Sequence, residues 1–195
     1  MAEPKFGDPV GTWTPPERPG PERIDGRYVR LERFAPARHA EALHSANLMD
    51  DRIWDYMPYG PFTDLDSYRF WADTVAPGSD PFFYAIIDGA TGQASGVAAF
   101  LRIDPKAGSI EVGHINLAPA LQKSRAATEA IYLFMRWAFE AGYRRFEWKC
   151  DALNLPSRRA AERYGLSYEG VFRQATVVKG RNRDTAWFAA IDKEW

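Results

Sequence analysis

The sequence predicts an α/β protein with a mixed sheet and helices on its faces. Three observations carry this: short β-prone runs with period-two alternation, segments of helical period among them, and the order β α α β β β α β α β β. Residues 23–34, RIDGRYVRLERF, alternate as one strand with Tyr28 or Val29 and Leu31 at period two, and APARHAEALHSAN follows as a helix. Residues 49–63 are rich in aromatics, Asp, Pro and Gly, which predicts an irregular but packed loop, and a second helix covers 65–76. PFFYAIID, SGVAAFLRID and SIEVGHINL are β-prone runs separated by the turns DGATGQ and DPKAG, an antiparallel meander. The period then changes: over 124–141, Ala127, Ile131, Phe134, Met135, Ala138 and Phe139 form one helical stripe, with Gly142 suited to the C′ position. The strand RRFEWKCDA precedes a short helix with Asn154 as N-cap, Pro156 in its first turn and Gly165 beyond its end. SYEGVFRQATVVK and RDTAWFAAID flank a Gly180–Asn182 turn as a terminal hairpin.

A chain of 195 residues suits one domain with a tail. Six of the fourteen prolines (Pro4, Pro9, Pro15, Pro16, Pro19, Pro21) crowd the first 21 residues, so 1–22 is expected as an extended arm before a single domain over 23–195. Trp13 is suited to pin that arm to the domain or to a second subunit of a homodimer. Lys and Arg number 25 against 26 Asp and Glu, a net charge of -1, which lacks the basic excess of a nucleic-acid binder. The lone Cys150 excludes an internal disulfide and a Cys-based zinc cluster, and His39 and His44 have no third ligand nearby, so no metal is expected. There is no signal-peptide core and no run of eighteen apolar residues, so the expected location is cytoplasmic and away from membranes.

Two stretches carry motifs: EVGHINLAPALQKSRAATEAIYLFMRWAF (111–139) and FEWKCDALNLPSRRAAERYGLSYEG (146–170). A strand ending in E-V-G-H-I-N-L, a Q-x-x-x-x-A segment opening the long helix, and N-x-x-S opening the short helix before Y-G-L resemble, in this order, the GCN5-related N-acetyltransferase (GNAT) superfamily. The likeness is to its RimJ/RimL-like branch and spans residues 23–195. It implies a mostly antiparallel central sheet with a splayed strand pair, and transfer of an acetyl group from acetyl-CoA to an amine. Residues 121–128, LQKSRAAT, join a strand to a helix, so their N–H groups lack intrahelical acceptors and face the positive end of the helix dipole, where a diphosphate would satisfy them. Gln122, Lys123, Ser124, Arg125, Ala126, Ala127 and Thr128 are the candidate contacts, although Arg125 and Ala127 stand where the family pattern has glycine or, at the second position, alanine. The resemblance further implies that pantetheine bonds to backbone near Ile115 and Leu117, in a gap between 110–117 and 145–152.

Glu111 is the candidate general base, directly or through a water, with a structural salt bridge as the alternative. His114 is a second candidate base or an acceptor contact, placed by strict alternation on the strand face opposite Glu111. In the wider superfamily a tyrosine seven residues after the Asn protonates the leaving thiolate; that position is Ala161, and the branch motif offers Ser157 instead. Asn154 either bonds pantetheine or caps the helix, and Arg158 is expected to meet CoA phosphates. Cys150 raises transfer through an acyl-thioester, but with no His beside it direct attack in a ternary complex is the expected route. Residues 49–73 hold six aspartates against Arg52 and Arg69 amid Trp54, Tyr56, Tyr59 and Phe62, an aromatic, acidic wall for a cationic amine. Arg173, Lys179, Arg181 and Arg183 give the terminal hairpin the opposite sign. Because a lone carboxylate is a modest base, the expected acceptor is a protein N-terminal α-amine, as of a ribosomal protein, or a small amine of low pKa. A non-catalytic acyl-CoA sensor and an antibiotic N-acetyltransferase stay open as alternatives.

Overall fold

The computed structural model describes residues 5–195, so the first four residues of the expected arm lie outside it. The first β segment is not one strand but a small hairpin: β1 (Arg23–Asp25) turns at Gly26 and pairs antiparallel with β2 (Val29–Arg33). The cause lies a hundred residues away. Glu129 accepts backbone N–H groups from Arg27, Tyr28 and Val29, which bends the chain there, and a Cβ at Gly26 would lie 2.6 Å from Glu129 Oε2. Burial pushes the Glu129 carboxyl up, but those three donors carry it below the usual range.

Next come α1 (Pro36–Asn47), a single 3-10 turn at Asp51–Trp54, and α2 (Leu65–Val75). The expected meander is β3 (Phe82–Asp88), β4 (Ala94–Asp104) and β5 (Ser109–Leu117). It is followed by α3 (Arg125–Glu140), β6 (Arg145–Asp151), α4 (Leu155–Arg163), β7 (Ser167–Val178) and β8 (Arg181–Ile191). The terminal hairpin turns at Lys179–Gly180, both at positive φ, rather than at Gly180–Asn182. All eight strands form one sheet, ordered β1-β2-β3-β4-β5-β6-β8-β7, antiparallel except for β5 against β6.

Each face of the sheet carries its own core. Ile131, Phe134 and Ala138 of α3 pack on Tyr84, Phe100, Ile110 and Phe146, whereas Leu43 of α1 and Tyr68 and Ala72 of α2 pack on Phe83 and Val97 from the other side. Each large apolar side chain so buried stabilises the fold by about 1.5–3 kcal/mol. The proline-rich segment lies along the domain: Trp13 Nε1 donates to Gly142 O at 2.9 Å, Tyr143 Oη donates to Glu17 O, and Tyr84 Oη donates to Pro21 O. Trp13 thus meets its own chain.

The Glu129 contact yields a prediction. Glu129→Gln should lower stability by about 1–3 kcal/mol in urea unfolding at pH 7. Because the folded-state carboxyl is held low, its contribution is present above about pH 4.3 and lost as pH falls through the folded value, so the gap between variant and wild type should close toward pH 3.

Candidate active site

β5 and β6 pair for only four rungs, Ser109↔Arg145 to Val112↔Trp148. Beyond Val112 the strands part. β5 continues against β4 to Leu117, and β6 continues against β8 to Asp151, so each is left with one edge facing the gap. The break coincides with a bulge: β5 passes from Gly113↔Ala99 to Asn116↔Val97, fitting two residues opposite Ala98, with His114 at φ 51°.

The bulge also changes which way His114 faces. Strict alternation predicts that it opposes Glu111, but the extra residue returns it to the same side. Ile110 and Val112 enter the core under α3, so Glu111 faces the α1–α2 side, and there His114 stacks on Tyr59 and packs against Phe83. Tyr59 Oη lies 3.2 Å from His114 Nδ1. Burial first, then the charges of Arg102 and Arg183, hold His114 down to about 4, so it is neutral at pH 7.

Glu111 sits one rung before the fork and is 2% exposed. Arg102 Nη1 donates to its Oε1 at 2.7 Å, and Lys149 Nζ lies 2.8 Å from Oε2 and 2.7 Å from Glu147 Oε2, over the ring of Trp187 at 3.8 Å. Burial pushes the Glu111 carboxyl up, and the two cations only partly offset it. Lys149, Glu147 and Trp187 have no motif; their signal in the sequence is a pair of charges alternating with Phe146, Trp148 and Cys150 in a central strand.

Across the gap, Asn154 caps α4 by accepting Ser157 N–H at 3.1 Å. Ser157 Oγ accepts Trp148 Nε1 at 3.0 Å and lies beside the Cys150 thiol, which burial pushes up. An indole N–H only donates, so the serine proton is left for another acceptor. Ala161, at the superfamily's tyrosine position, is fully buried. Arg158 Nη1 donates to Ala152 O, and its guanidinium lies over Tyr168, 5.4 Å from the ring centre.

The anion cradle at α3 is narrower than expected. Ser124 caps the helix, its Oγ accepting Ala127 N–H and its carbonyl accepting Thr128 N–H. The Gln122 N–H donates to Ala118 O and its Nε2 to Leu117 O, which removes that carbonyl from the open edge near Ile115. Lys123, at φ 57°, Ser124, Arg125 and Ala126 keep N–H groups without an acceptor among the described residues, and Lys123 and Arg125 are exposed. Arg125 as the first helical residue points its side chain outward, so the loss of glycine there does not close the approach to these amides.

The acidic wall does not form. Trp54 is 3% exposed, edge-on to Phe62 at 5.2 Å, and both belong to the core beneath α1 and α2. Asp50 and Asp64 cap the 3-10 turn and α2, while Asp51, Asp55, Asp66 and Asp73 face solvent. Helix termini and solvation draw these carboxylates away from the gap. What the loop does supply is a bridge over the fork: Tyr56 Oη donates to Leu153 O after β6, and Lys179 Nζ from the hairpin tip donates to Trp54 O at 2.9 Å.

The fold that carries this forked strand pair and its line of free amides is similar to known proteins. Residues 29–167 match the model of the acetyltransferase (GNAT) domain family. A GCN5-related N-acetyltransferase from Brucella melitensis is similar in structure with a TM-score of 0.93 and 44% identity, covering 95% of this chain and 86% of that one. A probable acetyltransferase of the GNAT family from Chromobacterium violaceum is similar at TM-score 0.91 and 39% identity, covering 100% and 98%. In sequence, the uncharacterized N-acetyltransferase p20 of Bacillus licheniformis is 27% identical over 151 residues, 75% of this chain and 84% of that protein. The chain therefore belongs to the GNAT acetyltransferase family and is an acetyl-CoA-dependent N-acetyltransferase.

Proposed function

We propose that the acceptor is an α-amine, the N-terminus of a protein such as a ribosomal protein or a small α-amino compound, acetylated by direct attack within a ternary complex. The observation that carries this reading is the modest strength of the bases at the fork: a Glu111 carboxyl that burial raises but two cations hold back, and a His114 that binds a proton only near about pH 4. An α-amine, with a pKa of about 7.7–8.0, is partly neutral at pH 7, whereas a lysine amine at about 10.4 would need a stronger base. The bridge from Tyr56 and Lys179 over the fork favours a group that enters end-on.

In this reading the phosphates of acetyl-CoA rest on the free N–H groups of Lys123 to Ala126, and its pantetheine lies along the open edge of β5 around Ile115, short of the Leu117 carbonyl that Gln122 occupies. An edge N–H of β5 beyond Val112 stabilises the oxyanion. Glu111 takes one amine proton through a water, and Ser157, its oxygen engaged by Trp148, donates a hydrogen bond to the departing thiolate, which takes up the second proton released by the amine nitrogen. Cys150 stays a packed thiol, 6% exposed, rather than an acyl carrier.

The test is thiol release from acetyl-CoA with a peptide and amine panel. Glu111→Gln should cut kcat/KM at pH 7 by about 10²-fold or more, with partial recovery above pH 8 where the acceptor deprotonates unaided. Since the carboxyl is pushed up and must be ionised to act, the acid limb of the wild-type profile should lie above the ordinary carboxylate range and be replaced in the variant by the acceptor's own, at higher pH. Ser157→Ala should lower kcat with little change in acetyl-CoA affinity. Preference for lysine side chains over N-termini, or an unchanged profile in Glu111→Gln, would contradict the reading.

A further inference from the structure

Resting on the α-amine reading, we propose that the acceptor carries an anionic group, a carboxylate or phosphate, within a few bonds of its amine, and that Arg183 receives it.

Arg183 lies on β8 two residues beyond Thr185, the last residue that pairs with β6. By alternation it shares a face with Thr185 and Trp187, and Trp187 lies opposite Lys149, so this is the face of Glu111 and His114. Its position at the open end of the fork is visible in its reach: its charge acts on His114 of β5 and on Cys150 of β6, one on each side of the gap.

The other charges near the fork are engaged: Arg158 donates to Ala152 O and lies over Tyr168, and Asp151 accepts Leu153 N–H. Arg102 and Lys149 both pair with Glu111, and Lys149 also pairs with Glu147. Asp184, next to Arg183, points to the opposite face and accepts Gln174 N–H and Asn182 Nδ2. Arg183 is in no ion pair among the described residues, and its Nε is buried without an acceptor. A buried donor left unmade is costly, and an incoming oxygen acceptor would satisfy it.

The sign of this charge has two consequences. A cation near the acceptor disfavours the ammonium form and so favours the neutral nucleophile. It also repels a simple cationic amine before it arrives, unless that molecule brings a negative charge for the guanidinium to hold. A zwitterionic small amine and an N-terminus followed by an acidic residue both meet the requirement.

The experiment compares matched acceptors: phosphoethanolamine with ethanolamine, serine with serinamide, and a Ser-Asp with a Ser-Asn peptide, each with wild type, Arg183→Gln and Arg183→Lys. The wild type should favour the anionic member of at least one pair by about tenfold or more in kcat/KM. Arg183→Gln should abolish most of that ratio, Arg183→Lys should keep part of it, and calorimetric binding of acetyl-CoA should be unchanged in both. Comparing ratios between enzymes cancels the intrinsic amine pKa of each acceptor, and the responding pair tells a small molecule from a peptide. Equal use of both members by the wild type, or an equal loss for both in Arg183→Gln, would overturn the inference while leaving acetyl transfer intact. Turnover only of lysine side chains would overturn the α-amine reading and this inference together.

Discussion

One extra residue in β5 decides the shape of the site. With two residues opposite Ala98, β5 turns away from β6 after four rungs, and both strands keep an unpaired edge in the middle of an otherwise continuous sheet. An open edge inside a sheet is a place where another extended chain can bond, which is what an acyl carrier with amide groups along its length requires. The same residue, His114, takes the left-handed conformation, uncommon for any residue with a side chain although less so for His, and is held there by Tyr59 and Phe83. Function and local strain therefore fall on the same few atoms.

The apex below the fork is held by charge. Glu111, Lys149 and Glu147 lie side by side on adjacent strands, Lys149 rests on Trp187, and Arg102 closes the row at the solvent side. Such a buried network is poor evidence of net stability, since desolvation opposes the pairing, but removal of one member leaves its partners uncompensated. Here it keeps a carboxylate at the point where a proton must be taken, with its affinity for that proton raised by burial. On the opposite side of the gap, neutral groups do comparable work: Trp148 and Asn154 set the two hydrogen bonds that orient Ser157.

Much of the frame was legible from period and capping. The α3 stripe, the α4 cap at Asn154 and the meander follow from local residue choice, and the structure agrees with each. What escaped is non-local. The turn at Gly26 depends on Glu129, and no local pattern in RIDGRYVRLERF reveals a carboxylate from a distant helix. The bulge in EVGHINL falls at His114 and not at its one glycine, Gly113, so alternation put His114 on the wrong face. Composition also misled at 49–73, where aspartates read as a wall for an amine are helix caps and solvated side chains. Conversely, Arg183 was visible only as part of a basic run; its place at the fork follows from the register of β8 against β6.

The account depends on the free edges of β5 and β6 binding the carrier of the acetyl group. Amide hydrogen exchange, residue by residue, with and without CoA tests this most directly. The backbone of 109–112 should be protected in both conditions, whereas amides within 113–117 and those of Lys123 to Ala126 should exchange fast alone and slow markedly when CoA is added. If CoA binds yet protects neither stretch, the fork is not its site and the account is contradicted.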